Sequence, residues 1–143
     1  MAMPSRIHSI LIVEDEEKIA QYMSARLTRA GYDVASETCG RAALATAAKQ
    51  PPDLVILDLR LPDIPGYEVC RELRRMHQPW AMAVLIVSAM DQPIDKLRGF
   101  ANGADAYLSK PFEMAELIDT IMRLPVRSAL RRPQRPAASE YLP

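Results

Sequence analysis

The chain has 143 residues, 49% of them hydrophobic and 25% charged, which allows one domain with a full core and is ordinary for a globular protein. Its 18 basic and 18 acidic side chains balance, but residues 125–143 carry four Arg and one Glu, leaving 14 basic against 17 acidic groups in residues 1–124. A body near −3 excludes a basic nucleic-acid-binding face there. The longest apolar run, Ala81–Val87, is too short to span a bilayer, and no basic stretch followed by an apolar one opens the chain, so no membrane association and a cytoplasmic setting are expected. Cys39 and Cys70 lack metal or redox spacing and read as small buried or half-buried thiols.

Residues 1–6 read as a loose terminus, and Ile7–Val13 as the first strand. Glu16–Ala30 places Ile19, Tyr22, Met23, Arg26, Leu27 and Ala30 at three-to-four spacing, predicting an amphipathic helix that Gly31 ends. Tyr32–Glu37 alternates as a short, more exposed strand; Arg41–Lys49 is an alanine-rich helix stopped by Pro51 and Pro52. Leu54–Leu57 is an apolar run of the kind a central parallel strand shows, buried on both faces. A loop with Pro62, Pro65 and Gly66 leads to a helix over Tyr67–Met76, whose inner stripe is Val69, Cys70, Leu73 and Met76. After a break at Gln78-Pro79 come a strand at Ala83–Val87 and a helix at Pro93–Ala101 capped by Asp91 or Gln92. Asn102-Gly103 turns the chain into a short strand, Ala106–Leu108, and Glu113–Leu124 is the last helix, with Met114, Leu117, Ile118 and Ile121 inward. Five strands alternating with five helices predict a doubly wound α/β domain over residues 1–124, with three helices on one face of the sheet and two on the other. Residues 125–143, with four Pro and four Arg, read as a linker or tail.

Three strands end in polar groups: Val13 runs into Glu14-Asp15, Leu57 into Asp58, and Val87 into Ser88. Lys110 follows the fifth strand. In an open parallel sheet the carboxyl ends of the strands form the ligand-binding edge. Three carboxylates gathered there repel one another, and a hard divalent cation such as Mg²⁺ relieves that. A lysine and a hydroxyl beside them neutralise phosphoryl oxygens, and a carboxylate can itself take up a phosphoryl group. The residues therefore predict a phosphoryl-binding site with Asp58 as the acceptor. A small Mg²⁺-dependent phosphatase using Asp58 as nucleophile is the alternative, although Arg60 stands where a second acid–base Asp would be needed.

The segments Val13-Glu14-Asp15, Leu57-Asp58-Leu59-Arg60-Leu61-Pro62, Pro65-Gly66, Ser88-Ala89, Gly103-Ala104-Asp105-Ala106-Tyr107-Leu108 and Lys110-Pro111-Phe112 resemble, in order, the receiver domain of two-component response regulators. The resemblance covers about residues 7–124. It implies a flavodoxin-like, five-stranded parallel sheet of order 2-1-3-4-5 flanked by five helices, and a signalling switch rather than an enzyme. Asp58 would accept phosphoryl from a histidine kinase or phosphotransfer protein. Mg²⁺ would be held by Glu14, Asp15, Asp58 and the backbone carbonyl of Arg60. Ser88 and Lys110 would bind the phosphoryl oxygens, with small Ala89 leaving the acceptor open to its donor, and the Lys110–Pro111 bond would be cis. Tyr107 would change rotamer as Ser88 moves, reshaping the face of the fourth helix, fifth strand and fifth helix for an effector domain or partner.

The family pattern also implies that Arg60 and Met90 flank the approach of water to the phosphorylated Asp58. Neither can act as a base, since Arg stays protonated and a thioether is a weak acceptor. A phosphorylated lifetime of minutes or longer is therefore expected. Ala106 and Thr120 stand where regulators with a winged-helix DNA-binding domain tend to carry an acidic residue and an arginine, so a monomer or weak dimer is expected rather than their salt-bridged dimer.

Overall fold

The computed structural model describes residues 7–77 and 81–124; the expectations for residues 1–6, the break at 78–79 and the tail at 125–143 fall outside the described residues. Strands β1 (Ser9–Val13), β2 (Asp33–Glu37), β3 (Leu54–Leu57), β4 (Ala83–Ser88) and β5 (Ala106–Ser109) alternate with helices α1 (Glu17–Arg29), α2 (Gly40–Lys49), α3 (Gly66–Met76), α4 (Pro93–Ala101) and α5 (Met114–Arg123). All strands pair in parallel, in the order β2-β1-β3-β4-β5. Sequence expectation and structure agree on every element, with ends shifted by one or two residues.

Each central strand feeds two cores. Ile10, Ile12, Leu54, Ile56, Leu85 and Val87 pack against α1 and α5, whereas Leu11, Val13, Val55, Leu57, Val84 and Ile86 pack against α2 and α3. Alternate residues of a strand point to opposite faces, so an unbroken apolar run is what two-sided burial requires. Every residue of β3 and β4 is buried, and a fully buried Leu or Ile stabilises by about 1.5–3 kcal/mol relative to exposure. β2, at the edge, has no buried residue: Val34 and Glu37 are half-buried and the other three are exposed. Helix α4 joins α2 and α3, giving the three-and-two division.

Inward assignments are corrected on two helices. Of the six residues at three-to-four spacing over Glu16–Ala30, Met23 and Leu27 are buried and Ile19 is half-buried, but Tyr22 (53%), Arg26 and Ala30 are exposed; the buried stripe of α1 is Ala20, Met23 and Leu27. One residue from Met23 is about 100° around the helix, so Tyr22 turns outward, where Arg26 lies 5.5 Å from its ring centroid. Met76, the last residue of α3, is 41% exposed because the inner stripe ends at Leu73.

Register brings the site together. Val13 pairs with Leu57 and Leu57 with Ile86, so Glu14 and Asp58 leave neighbouring strands at the same level. The Asp58 amide donates to the Val13 carbonyl at 3.0 Å, and the Lys110 amide to the Ser88 carbonyl at 2.8 Å, each carrying its ladder one step past the strand. Gly66 closes the loop after β3: its amide donates to the Leu59 carbonyl at 2.9 Å, and a Cβ there would lie 2.5 Å from the Asp58 carbonyl oxygen. Only glycine fits at that approach.

Candidate functional site: an acidic cluster with a lysine

Asp58 is buried at the end of β3, and both carboxylate oxygens are engaged. Oδ1 accepts from the Arg60 amide at 3.1 Å, and Oδ2 from Lys110 Nζ at 2.8 Å. The same ammonium donates to Glu14 Oε1 at 2.8 Å, and Glu14 Oε2 accepts from the Glu16 amide at 3.2 Å. Lys110 thus bridges two carboxylates from adjacent strands while its own side chain is 16% exposed.

Desolvation would pull the Lys110 ammonium down, but its bonds to Asp58 and Glu14 outweigh burial and leave its pKa raised. Burial raises the Glu14 pKa; the Lys110 hydrogen bond lowers it, and the nearby Asp58 charge adds to the rise. One oxygen from each of Glu14, Asp15 and Asp58 lies within 4.8 Å of the others. Glu14 and Asp58 are buried and Asp15 is exposed, so the group offers hard oxygen donors with a side open to water. Such a set fits a hard divalent cation that keeps several of its waters.

Around this centre, Ser88 is fully buried and its Oγ accepts from the Met90 amide at 3.1 Å. The Tyr107 hydroxyl donates to the Met90 carbonyl. Desolvation pushes Tyr107 up to about 12, against the pull of a hydrogen bond with Ser88. Ser88, Met90 and Tyr107 therefore form one polar cluster beside the acidic one. Ala89 and Arg60 are exposed, Met90 is half-buried, and the Lys110–Pro111 peptide bond is cis.

Three features escaped the sequence reading. Asp63 caps α2 from a distance: Oδ1 accepts from the Gly40 amide and Oδ2 from the Arg41 amide, both at 2.8 Å. These bonds, above all the one from Arg41, lower its pKa to about 2. At the opposite edge of the sheet, Arg74 donates to the Gly103 and Met82 carbonyls and to Asp105, which also accepts from the Val84 amide. Tyr67 reaches from α3 to α4, donating to the Asp95 carbonyl at 3.1 Å. Of these, only Asp105, inside the quoted Gly103–Leu108 segment, carried any signal.

The family model described as the response regulator receiver domain matches residues 10–122. The chain belongs to that family. It is a receiver domain of two-component systems, a signalling domain rather than a conventional enzyme, and the family supports a phosphoacceptor role. Among curated relatives, the DNA-binding dual master transcriptional regulator RpaA of Synechocystis is 41% identical over 93% of this chain and 55% of its own length. The response regulator ArlR of Staphylococcus epidermidis is 42% identical over 87% of this chain and 53% of its own. This receiver thus spans about half the length of the relatives it matches. Among solved structures, the chemotaxis protein CheY4 of Vibrio cholerae superposes with a TM-score of 0.78 at 34% identity, covering 83% of this chain and 99% of that one. A receiver domain from Methanospirillum hungatei gives 0.76 at 27% identity, covering 80% and 90%. Among the described residues no helix is long and apolar enough to cross a membrane.

Proposed function

We propose that the domain is a phosphoryl-accepting switch in which Asp58 takes a phosphoryl group from the phosphohistidine of a histidine kinase or phosphotransfer protein. The observation that carries this reading is the Asp58 carboxylate, buried and held by Lys110 and the Arg60 amide, with Glu14 and Asp15 alongside. An Asp58 oxygen forms the new O–P bond as the donor's P–N bond breaks, and the electron pair stays on the departing imidazole. Glu14, Asp15 and Asp58, with the Arg60 carbonyl, would hold Mg²⁺, which when bound neutralises charge on the phosphoryl oxygens. Lys110 then exchanges its bond to Asp58 for a charge-assisted bond to the phosphoryl group, and Ser88 turns its hydroxyl to another phosphoryl oxygen, while Ala89 leaves the donor room.

Turning Ser88 disturbs its bond from the Met90 amide, and with it the Met90 carbonyl that Tyr107 holds. Tyr107 changes rotamer, and the α4–β5–α5 face is reshaped. That face suits a partner or effector domain: Ile94, Leu97 and Phe100 stand exposed on α4, and Met122 is 72% exposed on α5. By analogy with the transcriptional regulators among the relatives, the output is control of transcription through that partner, without direct nucleic-acid contact by the receiver body. Thr120 bonds its own helix at the Glu116 carbonyl, and with Ala106 provides no charge pair for a symmetric dimer, in keeping with a monomer or weak dimer in the cytoplasm. Arg60 and Met90 flank the acceptor without supplying a base, so the phosphorylated state lasts minutes or longer. Residues 125–143 serve as a linker or tail.

Incubation with acetyl phosphate and Mg²⁺, followed by intact-mass measurement, tests the reading. The expected result is a gain of one phosphoryl group that persists for minutes and is lost in Asp58→Asn, in Asp15→Ala and on chelation. Continuous release of inorganic phosphate with no stable adduct would instead favour the phosphatase, which the exposed Arg60 in place of an acid–base residue argues against.

A further inference from the structure

The backbone that carries Asp58 also reaches α4 through Gly66 and Tyr67, beside the Ser88–Met90–Tyr107 hydrogen bonds rather than through them. Gly66 sits against the carbonyl of Asp58 and the Cα of Leu59, so closely that no side chain fits between them. The next residue, Tyr67, donates its hydroxyl to the Asp95 carbonyl in the first turn of α4, and the Arg98 guanidinium lies 4.8 Å from the Tyr67 ring centroid. Two bonds of different kinds thus tie the start of α3 to α4. Burial raises the Tyr67 pKa, so the hydroxyl keeps its proton and remains a donor at any physiological pH.

We propose that Tyr67 is a positioning residue of the switch: it latches α4 to the phosphoacceptor loop in the resting arrangement, where Lys110 pairs the unmodified Asp58. A shift of the Asp58–Leu59 backbone has to move Gly66, because the two are in hard contact, and Gly66 carries Tyr67 with it. The latch therefore biases α4 toward its resting position through contacts other than the hydrogen bonds of the Ser88–Met90–Tyr107 cluster. Coupling free energies are reciprocal: whatever holds α4 against activation also weakens binding of a phosphoryl mimic at Asp58. Releasing the latch should tighten that binding, although Tyr67 does not touch the ligand. A side chain that merely stabilised α4 locally would leave affinity at Asp58 unchanged.

This inference rests on the phosphoacceptor reading, and the test separates the two. Beryllofluoride is titrated in Mg²⁺ against wild type, Tyr67→Phe, Arg98→Gln, Tyr107→Phe and the Tyr67→Phe/Tyr107→Phe double variant, with thermal melts to confirm folding. Tyr67→Phe keeps the ring and loses only the hydroxyl; Arg98→Gln removes the stacked cation from an exposed position. Each should lower the apparent dissociation constant about threefold or more, the effect of one hydrogen bond of ordinary strength. The double variant should bind more tightly than Tyr107→Phe alone, although not by the exact product of the single fold-changes, because the two rings are close enough to interact. Unchanged or weaker binding in both Tyr67→Phe and Arg98→Gln would overturn the latch. So would a double variant no different from Tyr107→Phe alone, which would place Tyr67 on the same route. Wild type that bound no beryllofluoride and took no phosphoryl from acetyl phosphate would overturn the phosphoacceptor reading, and the latch with it.

Discussion

Glu14 illustrates at the residue scale how this site sets function against stability. Its carboxylate is buried beside a second one, and desolvation raises its pKa above the ordinary 4.5. The folded state therefore holds that proton more tightly than the unfolded chain does. Stability attributable to Glu14 is greatest below the unfolded value and falls as pH rises from about 4.5 through the raised folded value. Ionising Glu14 is therefore a net cost to the fold, which its hydrogen bond to Lys110 offsets only in part. Glu14→Gln should accordingly stabilise the metal-free protein at pH 7, because Lys110 keeps Asp58 as its partner, while weakening Mg²⁺ binding. Urea unfolding of both proteins with and without Mg²⁺ checks this. A variant less stable than wild type in the absence of metal would show that the Lys110 pairing outweighs burial. Lys110 itself is more enclosed than a loop lysine before proline suggests in sequence, because two carboxylates from different strands draw it in.

Among the elements, α2 shows what the sequence left unsaid. Cys39 stands at its N-cap and makes no side-chain cap bond, so the first amides of the helix need another acceptor. Asp63, 22 and 23 residues further along the chain, supplies both oxygens and fastens the loop after β3 to α2. Held well below its ordinary 3.8, this carboxylate keeps its cap above the unfolded value and loses it as pH falls through about 2. The Gly40 and Arg41 amide resonances should therefore titrate with a midpoint near 2 and exchange faster in Asp63→Ala. A midpoint near 3.8 would mean the bonds do not persist in solution. Buried strands and amphipathic helices announce themselves by periodicity, which is why the elements and the residues at the strand ends were legible. Asp63 to α2, Arg74 to Asp105 and Tyr67 to Asp95 join residues 22 to 31 apart, and no local pattern specifies such partners. The outward turn of Tyr22 was illegible for a related reason: an aromatic ring suits either a core or a surface cation.

Across the whole molecule, the two edges of the sheet are built differently. The carboxyl edge holds like charges around one lysine, an arrangement that a phosphoryl group can reorganise. The opposite edge is tied by Arg74 and Asp105 to the backbone of β4 and of the turn before β5. In the switch we propose, motion driven at the first edge passes into α4 and the α4–β5–α5 face rather than spreading through the sheet. The most direct measurement of that claim is amide hydrogen exchange, with and without phosphoryl on Asp58, in wild type and in Lys110→Ala. The expected result is altered protection in residues 88–101 and 106–123 of phosphorylated wild type, little change in α1 and α2, and a Lys110→Ala protein that takes up phosphoryl yet shows no such change. Phosphorylated wild type whose α4, β5 and α5 exchanged as before, or a Lys110→Ala protein that responded in full, would contradict it.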